Sequence, residues 1–113
     1  MSKPIITLDM KKNRIRIHKC TIKVLNNPDY IYILVNPEKK KIAICQAHET
    51  DKDAIKIKTE GCSYCDIYST ELMTQISLLN ENIVSNVSYR LFGVERNNCA
   101  EFDVRIFQIV KMN

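Results

Sequence analysis

Apolar and polar residues alternate in short runs along most of this chain, which is the period of strands with one buried face. Ile5–Asp9 reads as a first strand, followed by a polar connection through Asn13. At 14–18 the alternation is strict: Ile15 and Ile17 fall on one face, and Arg14, Arg16 and His18 on the other. Residues 19–25 form a short helical turn, with Ile22 and Leu25 three apart, stopped by Asn26-Asn27-Pro28 because proline disfavours helix in the residue before it. Residues 30–35 are apolar at every position and read as a central strand covered on both sides, with Ile33 and Leu34 both in the core. A turn at Asn36-Pro37-Glu38-Lys39 returns the chain as a partner strand at 41–45, and 54–58 is a candidate edge strand whose lysines discourage further pairing.

The second half opens with a brief strand at 64–68. Ser69 is placed to cap a helix, with Glu71 in its first turn and Leu72, Ile76 and Leu79 on one face. Val87, Tyr89 and Leu91 alternate as a strand, 93–98 reads as a loop, and Phe102, Val104 and Ile106 mark a returning strand. The expected fold class is therefore α+β, mostly antiparallel strands with two short helices. The two halves, 1–47 and 60–113, share an order of strand, helix, strand, turn, strand. That order reads either as a pseudo-repeat or as chance similarity between two common units.

Length and composition narrow the picture. The 113 residues, 45% of them hydrophobic, suit one domain with one core. No apolar run approaches the roughly 18 residues of a membrane span. The segment Met1-Ser-Lys-Pro-Ile-Ile-Thr-Leu-Asp9 lacks the form of a signal peptide, so a cytoplasmic location is expected. The five cysteines are an odd number with irregular spacing; a disulfide scaffold would use an even count, and reduced thiols are expected in the cytosol. Net charge is +4, unevenly spread: residues 1–60 hold thirteen Lys/Arg against seven Asp/Glu, and residues 61–113 hold four against six. A field of that kind attracts polyanions. A solvated Lys-rich face is the plainer reading of the same residues.

Candidate chemistry is sparse. Cys45-Gln-Ala-His48 and Cys62-Ser-Tyr-Cys65 have the two-residue gaps with which paired ligands grip a tetrahedral zinc. Against zinc, Cys45 ends an apolar strand, where a free thiol is ordinary, and the usual glycine turn is missing, so no metal and no cofactor are expected. His18 and His48 are the only histidines, and no nucleophile or carboxylate clusters with either in sequence. Two glycines cannot build a phosphate loop, and Asp51 and Asp53 lack calcium-loop spacing. The chain is not expected to be an enzyme. Tyr30, Tyr32, Tyr64, Tyr68 and Tyr89 could stack on bases or pack in the core.

The segment Asn13-Arg-Ile-Arg-Ile-His-Lys-Cys-Thr-Ile-Lys-Val-Leu-Asn26 resembles the AbrB-type swapped-hairpin regulators, whose pattern is Gly-Arg-x-x-Ile-Pro-Lys-x-x-Arg-x-x-Leu-Gly followed by a β-hairpin. Arg14, Ile17, Lys19 and Leu25 occupy matching places, whereas Asn13 and Asn26 replace the glycines, His18 the proline and Ile22 the second arginine. The resemblance covers residues 5–46, and two such units in one chain would resemble the MraZ-type arrangement. The chain is also similar to uncharacterised small proteins of low-GC Gram-positive bacteria and their mobile elements. The regulator resemblance implies a homodimer or higher oligomer that binds duplex DNA, with Arg14, Arg16, Lys19 and Lys23, and beside them Lys12, meeting phosphates. The alternative is a small phage or mobile-element module that inhibits or adapts a protein partner.

Overall fold

The computed structural model describes residues 3–57 and 63–110, and the statements that follow concern those residues. Ten strands and two helices are present among them: β1 (Ile5–Asp9), β2 (Arg14–His18), α1 (Lys19–Val24), β3 (Tyr30–Asn36), β4 (Lys41–Gln46), β5 (Ile55–Lys56), β6 (Tyr64–Tyr68), α2 (Thr70–Ser77), β7 (Ser88–Phe92), β8 (Val94–Arg96), β9 (Cys99–Asp103) and β10 (Gln108–Val110). The strands form two five-stranded sheets, in the order β10-β7-β1-β2-β6 and β5-β3-β4-β9-β8. Every pairing is antiparallel.

This architecture corrects the expected α+β pseudo-repeat. Strand outweighs helix by far, and each sheet draws strands from both halves of the chain. In the first sheet β1 lies between β2 and β7, and β2 pairs directly with β6, Ile15 opposite Ile67. The two halves are therefore woven together and do not stand as two repeated units. The weave depends on a corner at Gly93, where the chain leaves β7 in the first sheet and enters β8 in the second. Its N–H donates to the Pro4 carbonyl at 2.8 Å. A Cβ there would lie 2.5 Å from the Glu101 carbonyl oxygen and 2.7 Å from the Phe102 ring, so the close approach admits only glycine.

One hydrophobic cluster joins the inward faces of both sheets to the helices. Ile6, Leu8, Ile15, Ile17, Tyr89 and Leu91 come from the first sheet, and Ile31, Ile42, Ile44, Ala100 and Phe102 from the second, all of them fully or almost fully buried. Helix α1 contributes Ile22, followed by Leu25, and α2 contributes Met73 and Ile76. Burying side chains of this size stabilises by roughly 1.5–3 kcal/mol each before chain entropy is counted. The Ser69 hydroxyl accepts from the Leu72 N–H at 3.1 Å and caps α2, as the sequence predicts.

Strand β3 differs from its reading as doubly covered. Ile31 is buried, but Leu34 is 53% exposed on the outer face of the second sheet. The strand lies next to the two-residue β5, one place from the sheet edge, and no helix covers its outer side. Leu34→Ala should therefore change stability by about 0.5 kcal/mol or less, and a urea titration showing a loss above about 2 kcal/mol would contradict the exposed placement.

The cysteines also depart from expectation. Cys45 on β4 and Cys99 on β9 face each other across the second sheet and form a disulfide, with Cα atoms 4.3 Å apart. The zinc set Cys45, His48, Cys62 and Cys65 is overturned by this bond, since Cys45 has no thiolate to offer. Cys65 lies on β6 in the other sheet, His48 is exposed in the loop after β4, and Cys62 lies outside the described residues. None of the helices of the described residues is long and apolar enough to cross a membrane.

Candidate functional site

The outer face of the first sheet is where the polar residues of β1, β2, β6 and β7 converge. Its inner face takes Leu8, Ile15, Ile17, Tyr89 and Leu91 into the core, so alternation turns Thr7, Asp9, Arg14, Arg16, His18 and Arg90 outward. Register then aligns them across strands. Thr7 stands between Arg90 on one side and Arg16 on the other, and Arg16 stands opposite Asp66. One strand step away, Arg14 stands between Asp9 and Tyr68. The predicted co-facial set of Arg14, Arg16 and His18 is thus present, and the sheet adds to it residues from the far half of the chain.

Charge on this face is largely paired. Arg14 places Nη2 2.7 Å from Asp9 Oδ2 and Nη1 3.6 Å from Asp66 Oδ2. Its side chain is 12% exposed and that of Asp9 only 1%. Arg16 grips Asp66 in a two-pronged pair, Nε to Oδ1 at 2.9 Å and Nη2 to Oδ2 at 3.1 Å, and these hydrogen bonds raise the Arg16 pKa. The Arg16 guanidinium lies 3.7 Å from the centre of the Tyr64 ring, and Arg14 lies 6.0 Å from that of Tyr68. Both tyrosines are exposed at the sheet edge. Tyr89, by contrast, is buried, and Tyr30 and Tyr32 are half-buried on the other sheet.

The remaining predicted contacts sit at the two ends of β2. Lys12 is exposed in the β1–β2 turn, where its backbone N–H donates to Asp9 Oδ1 at 3.1 Å. Lys19 begins α1 and Lys23 lies in its last turn, both exposed. Helix α1 is anchored to β1 by Thr21: its Oγ1 accepts from the Ile5 N–H and donates to the Ile5 carbonyl, both at 2.7 Å. The five cations thus run along one strand and into the next helix, but Arg14 and Arg16 are held by carboxylates while the lysines are exposed.

Compared with known proteins, the chain matches no family model, no curated protein and no solved structure. The outer face of the first sheet has features the sequence does not announce. Asp9 and Asp66 pair with the two arginines expected to be free, Asp9 with Arg14 and Asp66 chiefly with Arg16. The place of Asp66 between Tyr64 and Tyr68 in an alternating strand is a signal for an outward carboxylate, but nothing local says that β6 pairs with β2. Arg90 has no sequence signal either, because one arginine in the strand at 87–91 carries no motif. His18 is joined to Thr7, with Nε2 and Oγ1 2.8 Å apart. Burial lowers the His18 pKa, and the positive charges of Arg90 and Arg16 lower it further.

Proposed function

We propose that this chain is a DNA-binding regulator of the AbrB-like kind, which meets phosphates through the outer face of its first sheet and the helix that follows β2. The observation that carries the reading is the charge of that face: three arginines, Arg14, Arg16 and Arg90, against the two carboxylates Asp9 and Asp66, with Lys12, Lys19 and Lys23 exposed at the ends of β2 and on α1. Two exposed tyrosines beside the arginines add flat surfaces against which sugars or bases can pack. The backbone supports the resemblance. Asn13 and Asn26, which stand where the regulator pattern has glycines, have φ of 52° and 63°, the left-handed region that glycine enters freely and asparagine tolerates. The reading carries a homodimer and a non-catalytic role.

The phosphate contacts are assigned differently from the sequence expectation. Arg14 and Arg16 already have carboxylate partners, so Lys12, Lys19, Lys23 and Arg90 supply most of the unpaired charge. Titration of mixed-sequence duplex DNA at several salt concentrations tests the reading. A slope of log K against log salt of about −3 to −4 is expected, at about −0.9 per phosphate contact. The double variant Lys19→Gln, Lys23→Gln should flatten it by about two units. Its stability should hold within about 0.5 kcal/mol, because both side chains are exposed. No binding at about 50 mM salt, or an unchanged slope in the variant, would sink the regulator reading in favour of the inhibitor or adaptor alternative.

A further inference from the structure

Arg90 is the one arginine of the outer face with no carboxylate. Among the described residues the half-buried Arg90 makes no hydrogen bond or ion pair through its guanidinium; its Nε, like that of Arg14, is buried without an acceptor, but Arg14 has carboxylate partners and Arg90 has none. Leaving a charged donor buried and unpaired is costly, and native proteins rarely do so without a ligand or solvent to complete the site. Its neighbours are donors. Register sets Gln108 of β10 on one side of Arg90 and Thr7 of β1 on the other. Beyond Thr7 come Arg16, whose carboxylate partner Asp66 lies on its far side, and His18, joined to Thr7.

We infer that Gln108, Arg90, Thr7, Arg16 and His18 form a binding site for a phosphate group, with Arg90 as its principal ligand. The chemistry fits an oxyanion with several acceptor oxygens. Arg90 offers charged donors in a planar fork, Gln108 offers an amide N–H, and Thr7 offers its hydroxyl. When His18 carries a proton on Nε2, it donates to Thr7 Oγ1, and the Thr7 hydrogen is free to point at the anion. The charge of a bound anion also favours the imidazolium, so anion binding and protonation of His18 are coupled in the same direction. The charged groups around His18 are Arg90 and Arg16, which oppose its protonation, and Asp66, which favours it; a bound anion offsets the first two. As a backbone-phosphate subsite the assignment rests on the proposed DNA binding, whereas a free phosphate would need only the five side chains.

Proton NMR of the imidazole rings tests it directly, because the chain has only two histidines, His18 and His48. Inorganic phosphate is titrated against chloride at constant ionic strength, followed by a short phosphodiester oligonucleotide. Saturable movement of the His18 resonance with phosphate is expected, with a rise in its titration midpoint, while His48 stays in place. Arg90→Gln should weaken the response at least tenfold while the protein keeps its wild-type fold by circular dichroism, and Lys52→Gln should leave it unchanged. If Arg90→Gln fails to fold, Gln108→Ala, at an exposed position, should weaken phosphate binding severalfold in its place. Response to phosphate but not to the oligonucleotide supports the site and separates it from the DNA reading. Response to both, each dependent on Arg90, makes it a backbone subsite. No His18 response to either anion, or an equal response in Arg90→Gln, overturns the assignment.

Discussion

Arg14→Ala should destabilise the protein by about 3 kcal/mol, since removing one partner of a buried ion pair strands the other charge. Arg14 and Asp9 meet at 2.7 Å, with side chains 12% and 1% exposed, so Asp9 would be left without its charged donor in a place water barely reaches. Its remaining hydrogen bond, from the Lys12 N–H at 3.1 Å, belongs to the β1–β2 turn and cannot replace a guanidinium. Arg16→Ala should cost only about 1 kcal/mol, because Arg16 and Asp66 are 29% and 18% exposed and solvent screens what remains. Adding Asp9→Asn to Arg14→Ala removes the stranded charge and should restore part of the loss, a coupling that a double-mutant cycle in urea would show. A loss below about 0.5 kcal/mol for Arg14→Ala, or no recovery in the double variant, would mean that the pair is not buried as described.

That result would also explain why the polar face of β2 misleads when read alone. Alternation correctly separates Ile15 and Ile17, both fully buried, from Arg14, Arg16 and His18, because a period of two is a local property of a strand. What faces those arginines is not local. Asp66 arrives on β6, fifty residues beyond Arg16, and Arg90 arrives through β1 on β7. Periodicity decides which side of a sheet a residue takes, not which strand lies beside it. Three arginines and a histidine thus share a face on which charge pairing is decided by pairings the sequence does not display.

The other departures from the sequence pattern have equally specific causes. Residues 30–35 are apolar on both faces, yet Leu34 is exposed, since the outer side of β3 has no covering layer. At 93–98 the short polar strand β8 hides as a loop. The sign of a hairpin there is Asn97-Asn98, both with positive φ, joining β8 to β9 as the paired asparagines of a tight turn. Past Asp103 the alternation continues through Val104 and Ile106, but the chain turns. Asp103 binds the Arg105 guanidinium and accepts from the Arg105 backbone N–H, and Ile106 is 71% exposed. The side-chain lock of Asp103 onto a residue two places on ends the strand, which hydrophobic alternation does not register.

Reduction of Cys45–Cys99 should lower stability by about 4 kcal/mol, from the closure entropy of a loop this long. The bond spans 54 residues of sequence and ties β4 to β9, neighbours inside the second sheet. In the folded protein both ends already sit opposite each other in the ladder, so most of the effect falls on the unfolded chain, which gains freedom once the tie is cut. For a domain of this size the loss corresponds to a fall in melting temperature of roughly 15 °C, and it is a large share of the 5–15 kcal/mol that typical domains possess. Thermal unfolding with and without reductant measures it. The double variant Cys45→Ala, Cys99→Ala in oxidising buffer should melt with the reduced wild type, since it too lacks the tie. Thiol labelling of the denatured protein should find two fewer reactive cysteines before reduction than after. Equal labelling before and after, or a melting temperature indifferent to reductant, would return Cys45 to the free thiols that the odd cysteine count predicts and reopen its use as a ligand.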